Sequence, residues 1–551
     1  MEVTLSAAYS IDKEAFRALA AEHASRSEEP EGRGNPLPYT PIFRRIPADL
    51  DTPVSALLKT RRGDYCFLLE SVERGNQVGR YSFLGSEPRR LLTAKDGLAT
   101  LQRLDDPAPA SPSRAAGRDP LAELDRLISS RRLVTADGAA IPPFCGGAVG
   151  YAGYEIAASL EPVRVAGNDP LALPDLAFAL YDTLVVFDHV QRTAQVVTLA
   201  PLNSDPDREY EQAAARIEAV MRRLRGPLPA GTHAATTASA NEPCREVRSN
   251  YTQPEFERMV EAAKEHIAAG DIIQVVLSQR FERQTGASPL TVYRALRMVN
   301  PSPYMFFLQF GDLYLIGASP EMLVQVRESK VATHPIAGTR QRGRDREEDG
   351  RLERELLADE KERAEHLMLV DLGRNDIGRV ATIGSVRVPR FMQVDQYSHV
   401  MHLVSEVEGE VRNGLGPIDV LRACFPAGTV SGAPKVRAMQ IISELERDRR
   451  GPYAGAAGYV GYDGNMDTAI TIRTIVFKEG SCGQGLASIQ AGAGIVADSV
   501  PASEYAETRH KAQALLAAID LAEEIERDEI SGKAAIETEP AGERRYDSTI
   551  G

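Results

Sequence analysis

Two glutamates sit where helix-like stretches of this sequence call for core residues. In DEKERAEHLMLVDLGRND, residues 359–376, Glu365 and His366 interrupt an apolar pattern. Leu352, Leu356, Leu357, Met368 and Leu369 fit one amphipathic helix, which is expected to run into a polar loop at LGRND and which places Glu365 on the flank of its buried face. A carboxylate there needs a partner, either a surface ion pair with Lys361 or Arg363 or a metal ion at the wall of a pocket. Glu507, in SEYAETRHKAQALLAAI, shares a helix face with residues 511, 514, 515 and 518, and its ordinary role would be an i,i+4 pair with Lys511. Two inward carboxylates with little thiolate or imidazole in reach suit a hard, oxygen-ligated ion such as Mg²⁺ better than zinc.

Loops rich in glycine could receive the anion that such an ion would face. QAGAGIV at 490–496 offers the backbone N–H groups of Gly492, Ala493 and Gly494, although G-x-G at a strand end is more often only a turn. PIAGTR at 335–340 and PAGTVSGAPK at 426–435 repeat glycine beside threonine, each readable as a plain loop. YSHVMHL carries His399 and His402, which would share a face on a helix and oppose each other on a strand. No H-E-x-x-H is present. From the residues alone the reading is a Mg²⁺-using enzyme acting on a small anion.

These groups must be positioned by a long chain. Its 551 residues exceed one ordinary core and imply several domain-sized units. The net charge of −14 and the lack of any Lys/Arg-dense run disfavour nucleic acid and anionic membranes as partners. Five scattered cysteines without C-x-x-C, no apolar leader and no membrane-length apolar run point to the cytoplasm. Residues 1–40 read as a mobile extension with one short helix near Asp12–His23, and 41–225 as a first domain of short strands interrupted by a Pro/Ala/Ser loop at 105–120. Residues 226–248 read as a Gly/Ala/Thr/Pro linker, 249–525 as a second domain of mixed sheets and helices, and 526–551 as a disordered tail.

AEHLMLVDLGRND, PIAGTR, FPAGTVSGAPK, GYDGNMDTAITIRT and QAGAGIVADSVPASEYAET together resemble the chorismate-utilising enzymes, and among them the large subunits of anthranilate synthases. The resemblance runs from about Pro41 to about residue 520. It implies an α/β (α+β) fold in which β-sheets pack face to face with helices outside, and a reaction in which ammonia adds to chorismate and pyruvate is eliminated. Glu365 and Glu507 then match the Mg²⁺ ligands. Glu321 matches the general acid for the departing hydroxyl, and His402 the base that takes the C2 proton. Tyr453 and Arg473 match residues that grip the enolpyruvyl carboxylate, while Gly338, Thr339, Thr429, Gly492, Ala493 and Gly494 supply main-chain and hydroxyl contacts.

Two positions separate relatives within that family. Aminodeoxychorismate synthases, the alternative in the folate pathway, commonly carry a nucleophilic lysine where PIAGT has Ala337. Isochorismate and salicylate synthases carry a lysine base where DIIQVV has Gln274. With neither lysine, external ammonia is the expected nucleophile. LLES at 68–71 and NPSPYMFF at 300–307 resemble a feedback site for L-tryptophan, with Glu70 and Ser71 toward its polar end and Pro303, Tyr304 and Met305 along the indole. No cysteine stands in a G-x-C-x-G setting, so the resemblance implies a separate glutamine amidotransferase subunit, in a heterotetramer. A catalytically silent regulatory subunit that binds chorismate or tryptophan is the reading from a different class.

Overall fold

The computed structural model describes residues 9–26, 36–71, 79–104, 119–135, 141–229, 246–396, 400–480 and 484–537. Two large sheets, one of 13 strands and one of 11, form the body of the molecule. Alternation along single strands explains how the larger sheet is used on both faces. In the strand Tyr304–Phe310, Phe306 and Leu308 join the core between the sheets, while Met305 and Phe307 join a second core beneath the helices. Aromatic rings bridge the two sheets directly, with Phe67 and Tyr181 meeting at 4.7 Å between centroids and Phe83 and Tyr459 at 5.6 Å. The second core is covered by helices that include Pro289–Val299 and Pro501–Glu537.

The expected division near 226–248 does not separate two sheets. The strand Tyr65–Glu70 pairs with Tyr304–Phe310, putting Glu70 opposite Met305, and Gly147–Ala152 pairs with Ala456–Gly461. Early and late halves of the chain therefore share both sheets and the core between them. Among the described residues no helix is long and apolar enough to cross a membrane.

Several local expectations are corrected. The single helix expected to carry Leu352 through Leu369 breaks at Asp359, whose side chain caps a new helix, Glu360–Gly378, by accepting from the N–H groups of Lys361 and Glu362 at 3.1 Å. Leu356 packs with Met401 and Leu403, whereas Leu357 remains 38% exposed. The expected polar loop LGRND is the last part of that second helix, where the Asp376 side chain is taken up by Lys435 Nζ and not by the backbone. At the other end, the helix Pro501–Glu537 continues well past 526, where a disordered tail was expected to begin. The expected mobile extension 1–40 is instead docked where it is described: the helix Lys13–Arg26 puts Phe16 and Ala20 into the second core, and Leu37–Pro47 is a strand. The stretches 1–8, 27–35, 105–118, 230–245 and 538–551, with much of the expected loop, linker and tail, lie outside the described residues, as does His399.

Candidate active site

A cleft of about 340 Å³ opens between the helices Glu360–Gly378 and Pro501–Glu537 and the edge of the strand Gly485–Ile495. Glu321, Glu365, Thr429, Tyr453, Arg473, Gly492, Gly494 and Glu507 all line it, so residues scattered over the second half of the sequence converge. Glu507 arrives differently from expectation. The buried stripe of its helix runs through Thr508, Ala512, Leu515, Ile519 and Ala522, which leaves Glu507 just off the stripe with its side chain 46% exposed to the cleft. There it pairs with Lys511 at 2.7 Å.

The glycine motif lies inside a strand, not at a turn. Val276 gives its N–H to the Ser431 carbonyl and Ser278 gives its own to Glu446, so the pairs Val276↔Gly494 and Ser278↔Gly492 are the ones without ladder bonds. Gly492 and Gly494 therefore turn their peptide groups away from the neighbouring strand. Lys511 confirms the direction for Gly492 by donating to its carbonyl at 2.9 Å. Ala493 is the correction: alternation directs its N–H into the ladder opposite Leu277, and its methyl is fully buried between the sheets.

Burial sets the electrostatics. Glu321, 9% exposed, has its carboxyl pushed up from 4.5 to about 8 by desolvation, with the nearby Thr429 hydroxyl and Lys511 pulling weakly the other way. The Thr429 hydroxyl is itself buried without a hydrogen bond of good geometry among the described residues. Burial also raises the Glu365 carboxyl, and the adjacent Glu362 charge adds to this, against a 3.4 Å hydrogen bond from Gln274 Nε2. Tyr453 is raised to about 12 by burial. Arg473 is lowered by burial, sits at φ +49 and has no ion-pair partner among the described residues. Its head is thus a desolvated cation available to an anion in the cleft. His366, beside Glu365, is a core residue, lowered to about 4 by burial and bonded to Ser405 Oγ at 2.6 Å.

His402 is not among the residues that line this cleft, but it lies within electrostatic reach of Arg473, which does. It faces Thr339 across the ladder, and its Nδ1–H donates to the Gly338 carbonyl at 3.1 Å, which leaves the basic lone pair on Nε2. Burial lowers its pKa, and the Arg473 charge contributes to that, so the neutral ring is favoured. Gly338 holds a left-handed φ of +65 at a bulge between Ala337 and Thr339, which aims its carbonyl at the histidine.

Oxygen donors dominate the cleft wall that carries Glu365 and Glu507, where Glu504 adds a third carboxylate raised by burial. Among the described residues no three acidic, histidine or cysteine side chains lie close enough to hold an ion by themselves. That donor set fits a magnesium-type ion completed by water and by a bound anion. Sequence reasoning overlooked Glu504, one turn before Glu507, and treated Lys361 and Lys511, which also line the cleft, only as ion-pair partners. The i,i+3 spacing of Glu504 and Glu507 was the available signal.

Away from the cleft, Glu70 is buried and accepts from Tyr293 O–H at 2.6 Å, with Arg297 Nε at 3.0 Å. The adjacent Ser71 hydroxyl is buried without a hydrogen-bond partner among the described residues. Met305 is buried opposite Glu70, and Pro303 and Tyr304 are half-buried.

Comparison with known proteins bears on what this geometry serves. Residues 64–517 match the family described as chorismate binding enzyme. Anthranilate synthase component 1 from Aquifex aeolicus is 46% identical over 489 residues, covering 89% of this chain and 96% of the relative. The protein of that name from Thermus thermophilus is 47% identical over 88% of this chain and 98% of the relative. The crystal structure of anthranilate synthase component I from Streptococcus pneumoniae superposes with a TM-score of 0.68 at 38% identity, over 86% of this chain and 99% of that one. The menaquinone-specific isochorismate synthase of Escherichia coli shares the fold at 19% identity, with a TM-score of 0.63, over 92% of this chain and 100% of that one.

Proposed function

The chain belongs to the chorismate-binding enzyme family, and from that premise we propose that it is the chorismate-converting subunit of an anthranilate synthase. The observation that carries the proposal is a carboxylic acid, Glu321, held neutral near pH 7 in the same cleft as the Glu365 and Glu507 carboxylates. A carboxyl that keeps its proton can donate it to a leaving group, and carboxylate oxygens suit a hard cation.

In this reading Glu365 and Glu507 would hold Mg²⁺, which when bound neutralises and orients the ring carboxylate of chorismate. Arg473 and Tyr453 take the enolpyruvyl carboxylate, with the free peptide edge at Gly492 and Gly494 beside them. Gly338, Thr339 and Thr429 border the ring. Ammonia attacks C2 while Glu321 gives its proton to the hydroxyl leaving C4, so that water departs. His402 Nε2 then removes the C2 proton, the bond from C3 to the enolpyruvyl oxygen breaks as the ring becomes aromatic, and the released enolpyruvate takes up a proton at its methylene carbon to become pyruvate. Gln274 in the cleft and Ala337 on the strand Ile336–Gln341 of the other sheet offer no amine that could replace ammonia as nucleophile.

Ammonia would come from a glutamine amidotransferase subunit, in a cytoplasmic heterotetramer. L-Tryptophan, the end product, would bind between LLES and NPSPYMFF, with residues 41–225 acting as a regulatory region and 249–525 supplying the catalytic residues. Incubation with chorismate, Mg²⁺ and an ammonium salt tests the reaction. Fluorescent anthranilate with an equal amount of pyruvate supports it. An amino-chorismate product that retains its enolpyruvyl group would point instead to the folate-pathway enzyme.

A further inference from the structure

Two stretches of sequence singled out above, LGRND and SGAPK, contribute no residue to the cleft lining, yet they meet. Lys435 Nζ donates to Asp376 Oδ2 at 2.7 Å, and both side chains are only 10% exposed. The placement is unfavourable for each helix taken separately. Lys435 is the first residue of the helix Lys435–Leu445, where the dipole opposes a cation, and Asp376 lies in the last turn of Glu360–Gly378, where it opposes an anion. Desolvating two charges also costs much of what their attraction returns. Helix stability therefore does not account for this pair.

What the pair joins does. Its acid sits on the helix that carries Glu365. Its base closes the segment that carries Thr429: Lys435 also donates to the Cys424 carbonyl at 3.3 Å, so one ammonium holds both ends of residues 424–435 against that helix. Between those ends, Gly428 packs so closely on the helix that a Cβ would lie 2.7 Å from Leu372 Cδ1. Arg450 Nη1 fixes the Val430 carbonyl at 2.8 Å, and the Ile273 N–H fixes that of Ala433 at 2.7 Å. Thr429 is left facing Glu321 and the cleft.

We propose that Asp376 and Lys435 are positioning residues, a clasp that sets the spacing between the cation-holding Glu365 and the proton donor Glu321 with its neighbour Thr429. The inference rests on the roles assigned to Glu365 and Glu321 above. Misplacement by about 1 Å at such a site costs up to roughly a hundredfold in rate.

The test compares wild type, Lys435→Met, Asp376→Asn, and the charge-swapped Asp376→Lys/Lys435→Asp, in which each charge suits its own helix. Anthranilate formation is followed against chorismate and against Mg²⁺, and hydrogen exchange of residues 427–433 is measured without either. The clasp predicts that each single variant loses roughly tenfold or more in kcat with KM for chorismate little changed, needs more Mg²⁺ for half-activation, and exchanges faster over 427–433. The swapped variant recovers most of the kcat. Single variants with wild-type kcat and Mg²⁺ midpoint, whatever their Tm, overturn the clasp alone, as does a swapped variant as slow as the singles. A wild type that makes no anthranilate removes the reading of the site, and the clasp with it. Should Lys435→Met not fold, Lys435→Arg takes its place: it keeps the charge and is expected to retain a kcat within a few-fold of wild type, and a tenfold loss would contradict a role set by charge.

Discussion

The Tyr453 hydroxyl stands 2.6 Å from the point where a Cβ on Gly492 would lie, and the Leu277 carbonyl stands 2.9 Å from it. Neither can retreat freely, since Tyr453 is 7% exposed and Leu277 is locked in a strand. Gly492→Ala must therefore push the tyrosine out of its place at the cleft wall. The expected outcome is a rise of roughly tenfold in KM for chorismate with a smaller change in kcat, read by steady-state kinetics. An unchanged KM would remove Tyr453 from the substrate contacts.

Glu321 ties activity and stability to the same proton. Its carboxyl is raised from 4.5 to about 8, so between those values the folded chain holds a proton that the unfolded chain has released. Stability from this group is then fullest below about 4.5 and is lost as pH rises toward about 8. Glu321→Gln mimics the protonated form and should gain Tm relative to wild type progressively across that window. Turnover of the same variant should fall by at least about a hundredfold, the usual contribution of a general acid. A Tm difference that stays flat with pH would show that the carboxyl titrates normally.

Tryptophan binding can be read without a label, because the chain contains no Trp and 18 Tyr. Titration of the protein with L-tryptophan should give a shift in indole emission that saturates, together with inhibition of anthranilate formation. Ser71→Ala, which removes a buried hydroxyl with no partner among the described residues, should weaken both in parallel. Emission identical to that of free tryptophan would take Glu70, Ser71, Pro303, Tyr304 and Met305 off the regulatory list.

How much of this was legible in the sequence depended on whether local pattern or distant contact decided the outcome. Strands such as Tyr304–Phe310 and helices such as Pro206–Leu224 announce themselves by period and caps. The break at Asp359 did not, because apolar residues on both sides kept helical spacing and only the capping bonds reveal the restart. Sharing of two sheets by both halves of the chain is invisible to any local reading, since strand pairing such as Glu70 with Met305 spans more than two hundred residues. The same holds at the site. Glu365 and Glu507 could be flagged as carboxylates out of pattern, and their family motifs assigned them a role. That Ala493 turns into the ladder while its glycine neighbours turn out depends on where Val276 and Ser278 send their N–H groups. Likewise, Glu321 gains its raised pKa from burial that no spacing encodes.

In the function proposed above, carboxylates on two helices, Glu365 and Glu507, would hold one Mg²⁺ in the cleft that takes chorismate. Mg²⁺ titration of anthranilate formation in wild type and in Glu365→Ala, with ammonium as the nitrogen source, tests it most directly. The account predicts an absolute requirement for Mg²⁺ in the wild type, abolished by chelator and restored by added metal, and at least a hundredfold loss in Glu365→Ala that saturating Mg²⁺ does not recover. Wild-type turnover by Glu365→Ala in saturating Mg²⁺, or anthranilate formation unaffected by chelator, would contradict it.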